Sequence, residues 1–401
     1  MVEKLFVPGA NSTWRDMKTY QNYSYTVHDG FTGPSDGILI VDMSTLDNPF
    51  PTFWNRNPTI SYQGNSVPFL KAHNLYIDEN GFMYLFGSNI GQGGALIFDL
   101  KPDPTNPTYV GIFDQYYLHD GFVRGDTLWG AAVSNGFFSA INLLSKTSPT
   151  EMARQNTPSG VSHNIWFSDD NQRVFTTDET RAAFVTEYDV SDLNNITELD
   201  RINSSLGNNA VPHNAHFYNN FLVNSYYTSG VQIVDVSVPG IMVETAFYDT
   251  SPFTGNGFSG AWGAYPYLSS GKILVTDREQ GLFVLSSTYP RATYLVATVV
   301  NGQNSTAIIN ANVNVLNGSI NTNTSIFGTI RKGQAQSGNF QVVVSKPGFV
   351  TDTFNIVLSP GQVSTYQFPL FAEGVGLMQN TFLPPYIFTS KSICLKFFPL
   401  S

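Results

Sequence analysis

Four of the six histidines in this 401-residue chain recur at similar intervals: His73, His119, His163 and His213 lie 46, 44 and 50 residues apart. Each is followed by a short polar residue, Asn74, Asp120, Asn164 and Asn214. A further 49 residues on, the same register falls on Trp262, and upstream it falls on Arg15-Asp16. Imidazoles and carboxylates are the side chains that hold divalent metals and exchange protons near neutral pH. Brought together, these residues would suit either a divalent metal such as calcium, with His73, His119, His163 and His213 as candidate ligands, or acid-base work. The competing role is structural: a residue present in every repeat serves the repeat, here by bonding the backbone of a neighbouring unit so that buried polar groups are satisfied. Periodic recurrence favours that role, and a symmetric ring is expected to space neighbouring anchors too widely for all of them to share one ion.

The elements that must position these residues also repeat. After His213 the chain reads as an alternating strand, a turn at Asn219-Asn220, a second strand from Phe221 to Tyr227, a Thr-Ser-Gly turn and a third strand, Val231 to Val236. The other anchors are followed by the same parts, and a weaker fourth strand usually comes next, as in PTYVGIF, PTEMARQ, ITELDRI and MVETAFY. A four-stranded antiparallel unit returning every 40 to 50 residues or so predicts a β-propeller, because one such sheet cannot bury both faces alone. Six repeats are visible. Glu3 to Val7 is expected as a strand that either completes the sixth unit or remains from a seventh blade upstream.

Strand order then predicts geometry. The start of each first strand and the end of each second strand share one mouth of the ring. Arg15, Asp16, His73, His119, Asp120, His163, His213 and Trp262 are therefore expected there, joined by Asp178, Glu179, Asp277 and Glu279, with His28-Asp29 and Tyr226-Tyr227 in equivalent places. Trp262 is expected to plug the channel, with sugar stacking as its functional alternative. His216 is expected to be a packed side chain. Asp78-Glu79-Asn80 and Asp169-Asp170-Asn171 lack EF-hand spacing and read as solvated turns.

Composition narrows the class. Aromatic residues make up 14% and charged ones only 12%, with 34 glycines and 22 prolines, a profile of turn-rich all-β proteins rather than helical ones. A net charge of −10 offers no basic stripe for nucleic acid. The single cysteine, Cys394, excludes an intrachain disulfide. No apolar run approaches the roughly 20 residues of a transmembrane helix. GxSxG, Walker, HExxH and Cys-His patterns are all missing.

The stretches NSTWRDMKTYQNYSYTV, AHNLYIDENGFMYLFGSN, HDGFVRGDTLW, SHNIWFSDDNQRVFTTDE and PHNAHFYNNFLVNSYYTSGVQIVDVS, with the third strands ILIVD (38–42) and VQIVD (231–235), resemble the choice-of-anchor B family of LVIVD-repeat propellers. The resemblance implies a secreted or surface-anchored bacterial propeller over residues 1–290, of a seven-bladed kind whose first blade and signal peptide precede Met1. Residues 291–370 resemble a carboxypeptidase-regulatory-like, transthyretin-type or Ig-like β-sandwich, and 371–401 form a tail of unassigned structure. The expected function is a binding or adhesion module for an extracellular ligand, a glycan or a surface protein. The alternative is a metal-dependent propeller hydrolase or lyase built on the same His and acidic residues.

Overall fold

The chain is represented by a computed structural model that describes residues 3–30, 37–204, 206 and 209–374. From residue 375 onward, the expected tail lies outside the described residues. Apart from a 3-10 turn at Met43–Thr45, all regular structure among the described residues is β. Among the described residues no helix is long and apolar enough to cross a membrane.

The repeat becomes six successive antiparallel sheets, five of four strands and a sixth of three. Their first strands are Arg15–Tyr20, Asn74–Ile77, Asp120–Arg124, Ser162–Phe167, Ala215–Tyr218 and Ala261–Tyr265, and each adjoins the first strand of the next sheet. Two-residue turns hold the hairpins together. Asn219 and Asn220 both adopt positive φ, 52° and 63°, the left-handed pair that such a turn needs and that Asn tolerates. Tyr62–Asn65 closes an extra hairpin, Thr59–Tyr62 with Asn65–Pro68, whose Ile60 joins the core between the first two sheets.

Strand alternation supplies two apolar faces to each sheet. In the second sheet Met83, Leu85, Leu96 and Phe98 join a core with Tyr25, Val27, Ile38 and Ile40 of the first. The alternate residues Tyr84, Phe86, Ala95 and Ile97 join a core with Val123, Leu128, Phe137 and Ile141 of the third. The same division continues, Phe138 and Ala140 with Ile165 and Val174, then Phe175 and Val185 with Phe217 and Leu222, then Val223 and Ile233 with Ile273 and Val275. At roughly 1.5–3 kcal/mol for each large side chain buried, these interfaces dominate the stability of the assembly.

The two end sheets differ. On the far side of the first, Met17 and Phe53 are 58% and 42% exposed, and on the far side of the sixth, Leu282 and Val284 are 44% and 51% exposed. Glu3 to Val7 does not form a strand and does not complete the sixth sheet. It runs along the first sheet instead, where Lys4 pairs with Asp47 at 2.7 Å and Val7 lines a small cavity with Val27 and Leu39.

Beyond Ser286 two further sheets share one core. Thr293–Asn301, Thr329–Gln334 and Val363–Leu370 form one sheet, with Thr293–Asn301 and Val363–Leu370 parallel. Asn312–Val315, Asn321–Asn323, Gly338–Ser345 and Asp352–Leu358 form the other. Leu295, Val299, Val313, Val342, Ile356 and Phe368 meet between them. This unit docks on the fifth sheet. Asp235 takes Arg291 at 3.2 Å and the Ala292 N–H at 2.9 Å, and Tyr294 packs with Ile241 and Val243. Gly333 makes the approach possible, since a Cβ there would stand 2.5 Å from the Val243 side chain.

One buried ion pair ties the fourth sheet to the fifth. Arg173 donates to Glu187 at 2.7 Å and to the Val236 carbonyl at 2.7 Å, while Glu187 also accepts the Gly240 N–H at 3.1 Å. Burial pushes the Glu187 carboxyl up, partly offset by Arg173. We expect Arg173→Met to cost about 3–5 kcal/mol by leaving Glu187 uncompensated, and the double variant Arg173→Met/Glu187→Met to recover most of the loss. Urea unfolding midpoints of the three proteins check this, and equal midpoints for the single and double variants would contradict it.

Candidate functional site

The anchor residues start the innermost strands, and local backbone irregularity aims them. In the fourth sheet the register shifts between Ser162 and Asn164, so His163 is the extra residue of a bulge, and Trp262 occupies the same position in the sixth. A bulge turns two successive side chains toward one side of a strand. The anchor and the residue after it can therefore both face the hub.

The four anchor imidazoles form a contiguous ladder. Ring centroids lie 3.9 Å apart for His73 and His119, 4.4 Å for His119 and His163, and 4.4 Å for His163 and His213, with Trp262 4.9 Å beyond His213. The spacing is much closer than the symmetric-ring expectation allowed, because the side chains converge inward from strands that stand farther apart. Trp262, half-buried, stands at the end of the ladder.

Each ring has one nitrogen turned to the protein. His163 Nδ1 donates to the His213 carbonyl at 3.1 Å, His213 Nδ1 to the Trp262 carbonyl, and His73 Nδ1 to Asp29 of the first sheet at 2.9 Å. His119 Nδ1 lies 3.4 Å from the Tyr117 hydroxyl. A carbonyl or carboxylate oxygen can only accept, so Nδ1 carries the proton in three of the rings. In a neutral ring Nε2 is then a bare lone pair. The Nε2 atoms of His163 and His213 lie 3.6 and 3.9 Å from the Glu179 carboxylate, and His119 Nε2 is buried with no hydrogen-bond partner. Glu179 is steadied from behind by the Tyr227 hydroxyl at 2.6 Å.

Burial and neighbouring imidazoles disfavour the charged forms of His119 and His213. Burial, then the neighbouring His163 and His73, holds His119 well below its ordinary pKa, and burial followed by His163 does the same for His213. Burial pushes the Asp29 carboxyl up, but hydrogen bonds from His73 and Ser12 outweigh it and leave it below the usual range. The Tyr227 phenol is raised by burial and by Glu179, so it stays a donor.

Two layers lie below the ladder. Asp16 accepts the Leu75 N–H of the next sheet at 3.2 Å, and Asn164 accepts the Ala215 N–H of its next sheet at 2.9 Å while donating to Asp120 at 2.6 Å. Burial raises the Asp120 carboxyl. The third layer takes the residue three places after each anchor, with Tyr76, Phe122, Trp166 and His216 in successive ring contact at 4.8, 4.5 and 4.6 Å and Tyr267 stacked 6.0 Å from Trp166. These rings lie in the hub beneath the imidazoles, and the opposite side of the ladder, where Glu179 and Asp29 stand, is the cup.

Several expected site residues are placed elsewhere. Arg15 is exposed, and its guanidinium turns back to the carbonyls of Ser12 and Ala10, because the segment before it offers acceptors closer than the hub. Asp178 is spent on its own loop, accepting from Thr157, Ser159 and Val161, and Asp277 does the same for Thr250, Glu279 and Gln280. Glu279 accepts the Gly260 N–H at 2.8 Å. Asp16 and Asp120 lie in the second layer. Asp78 is not a solvated turn residue, since it is buried and takes the Asn80 and Phe82 N–H groups and the Tyr84 hydroxyl. Calcium, which asks for six to eight oxygens, finds a nitrogen-rich cluster here. Asp29 stands beside His73 as its register predicts, one residue past a second strand like Glu179, whereas Tyr117 has no recurring counterpart and was not singled out from the sequence.

No protein-family model matches the chain, and no curated protein matches it. Solved structures do share its fold. A periplasmic gluconolactonase from Pseudomonas aeruginosa is similar over 71% of this chain and 83% of its own, at 11% identity and a TM-score of 0.50. A protein from Lactobacillus plantarum is similar over 85% and 94% respectively, at 12% identity and a TM-score of 0.49. The β-propeller domain of Cps50 (Swd1) from Myceliophteria thermophila is similar over 72% and 87%, at 9% identity and a TM-score of 0.46. At such identities the likeness is one of fold alone, an all-β propeller architecture.

His216 allows a pH test separate from the ladder. Burial, followed by Lys18, pushes its pKa down to about 3. In the unfolded chain an ordinary histidine takes up its proton near pH 6.5. The unfolded state therefore binds more protons as the pH falls below that value, and folding stability drops by up to about 1.4 kcal/mol per pH unit for this group. We expect His216→Phe to flatten the acid side of the stability profile between about pH 6.5 and pH 4.5, measured by urea midpoints. An unchanged slope would remove His216 as its source.

Proposed function

We propose that the chain is a secreted or cell-surface propeller of the choice-of-anchor B type, acting as a binding module whose ligand enters the cup at the hub. In this reading the six sheets are blades, the uncovered faces of the first and sixth mark the seat of a seventh, and residues 291–370 are a carboxypeptidase-regulatory-like sandwich serving as spacer. The exposed apolar side chains on those two faces support the seat, because a blade elsewhere in the series has both faces covered.

The observation that carries the binding reading is the surplus of acceptors in the cup. His119 Nε2 is buried with no hydrogen-bond partner among the described residues, and the Nε2 atoms of His163 and His213 stand 3.6 and 3.9 Å from the Glu179 carboxylate, beyond hydrogen-bond distance. Acceptors of this kind are met by hydroxyl donors or by cations. Aromatic surface stands beside them, with Trp262 at the end of the ladder and Phe258, 50% exposed, against Tyr227. Hydroxyl donors next to aromatic faces describe a saccharide, so a glycan is the ligand class proposed. The hydroxyls of Thr177 and Ser225 donate to the carbonyls of His213 and Trp262 and are not poised as nucleophiles.

A glycan panel tests the reading. We expect a saccharide to bind the native protein and to lose at least about tenfold in affinity on Glu179→Gln, the loss of one charge-assisted hydrogen bond. Mass spectrometry of the bound saccharide after long incubation separates the roles. An unchanged mass supports a binding module, whereas gain of water across a glycosidic bond or an unsaturated product assigns a hydrolase or lyase. A panel with no binder refutes the glycan.

A further inference from the structure

We propose that the cup holds one divalent transition-metal ion of the zinc class, bound by the Nε2 atoms of His163 and His213 and the carboxylate of Glu179, with His119 beside them as the additional imidazole. This inference rests on the cup being a ligand site, and it names the ion that would organise that site.

The positions of three ligand atoms carry the inference. His163 Nδ1 is taken up by the His213 carbonyl, which leaves Nε2 turned toward Glu179 Oε2 at 3.6 Å. His213 repeats the arrangement, with Nδ1 on the Trp262 carbonyl and Nε2 at 3.9 Å from Glu179 Oε1. Two ring nitrogens and one carboxylate thus converge on one place, at separations that a shared cation would bridge.

Dimensions and donor type identify the ion. The candidate ligand atoms of His163, Glu179 and His213 lie within 4.8 Å of one another, as do those of His73, His119 and His163. A tetrahedral zinc with bonds of about 2.0–2.1 Å holds its ligand atoms roughly 3.4 Å apart, so contacts of 3.6 and 3.9 Å need only small side-chain adjustment. Imidazole donors select zinc, copper, nickel or cobalt over calcium and magnesium. The outer partners are those that metal-bound histidines require: backbone carbonyls on Nδ1 of His163 and His213 orient the rings, and the Tyr227 hydroxyl orients the carboxylate. His119 Nε2, buried and without a partner, supplies a further donor on the His163 side. With His119 as fourth ligand the tetrahedron is filled, so a saccharide hydroxyl would reach the ion as a fifth ligand or in place of His119.

The full chain, stripped with a chelator and shown by circular dichroism to be folded, is titrated with zinc and separately with cobalt. We expect one zinc per chain, visible d–d absorption from bound cobalt, and no displacement by a large excess of calcium. Affinity should fall by more than about 100-fold for His163→Ala, beyond what loss of an outer partner costs. Glu179→Gln, which keeps the acceptor for Tyr227, guards against a folding defect in the histidine variant and should also fall by at least about tenfold. His216→Gln, a histidine outside the cup, should bind as the native protein does. No stoichiometric uptake by the folded native chain, or uptake that survives both ligand substitutions, overturns the proposal. Saccharide binding that persists in chelator defeats the ion and leaves the binding module standing, whereas zinc uptake with no saccharide binder does the reverse.

Discussion

The fold depends on a bond that recurs at the first, fourth and fifth sheets, from the start of the inner strand to the backbone of the next sheet. His163 reaches the His213 carbonyl and His213 the Trp262 carbonyl, while one residue later Asp16 and Asn164 capture the Leu75 and Ala215 N–H groups. Apolar faces alone would let neighbouring sheets slide, since hydrophobic contact has no preferred register. A directional hydrogen bond at the strand start sets the height at which each sheet meets the next. Buried polar groups at the hub are satisfied by the same bonds, which is why the centre of the molecule tolerates so many of them.

The structural and the chemical roles of these histidines therefore do not compete. In His163 and His213 the protein uses one nitrogen for each purpose: Nδ1 belongs to the architecture and Nε2 to the cup. A substitution at this position removes both at once, whereas Glu179 belongs to the cup alone and Asn164 to the stitching alone.

Much of this was legible in the sequence. The histidine interval, the Asn219-Asn220 turn and the alternation of apolar residues define the six sheets, because each is a local pattern with a fixed period. What could not be read was convergence. The distance between anchors on different sheets depends on how far side chains lean inward, and on bulges at His163 and Trp262 that have no mark in a single sequence. Arg15 occupied the right register and still turned away, because its alternatives, the Ser12 and Ala10 carbonyls, come from a segment outside the repeat. Asp178 and Glu179, adjacent in the chain, separate into a loop anchor and a cup residue for the same reason: register fixes position, and hydrogen-bond competition decides direction.

The docking of residues 293–370 on the fifth sheet makes a bypass of the sixth. Asp235 grips Arg291 and Ala292, so the intervening polypeptide, including the whole sixth sheet, lies on a loop whose ends are clamped together. A pull on the C-terminal side would load the Asp235 clamp and the fifth sheet first. The sixth sheet would hang outside the line of tension, and Trp262 with it, until that clamp gave way.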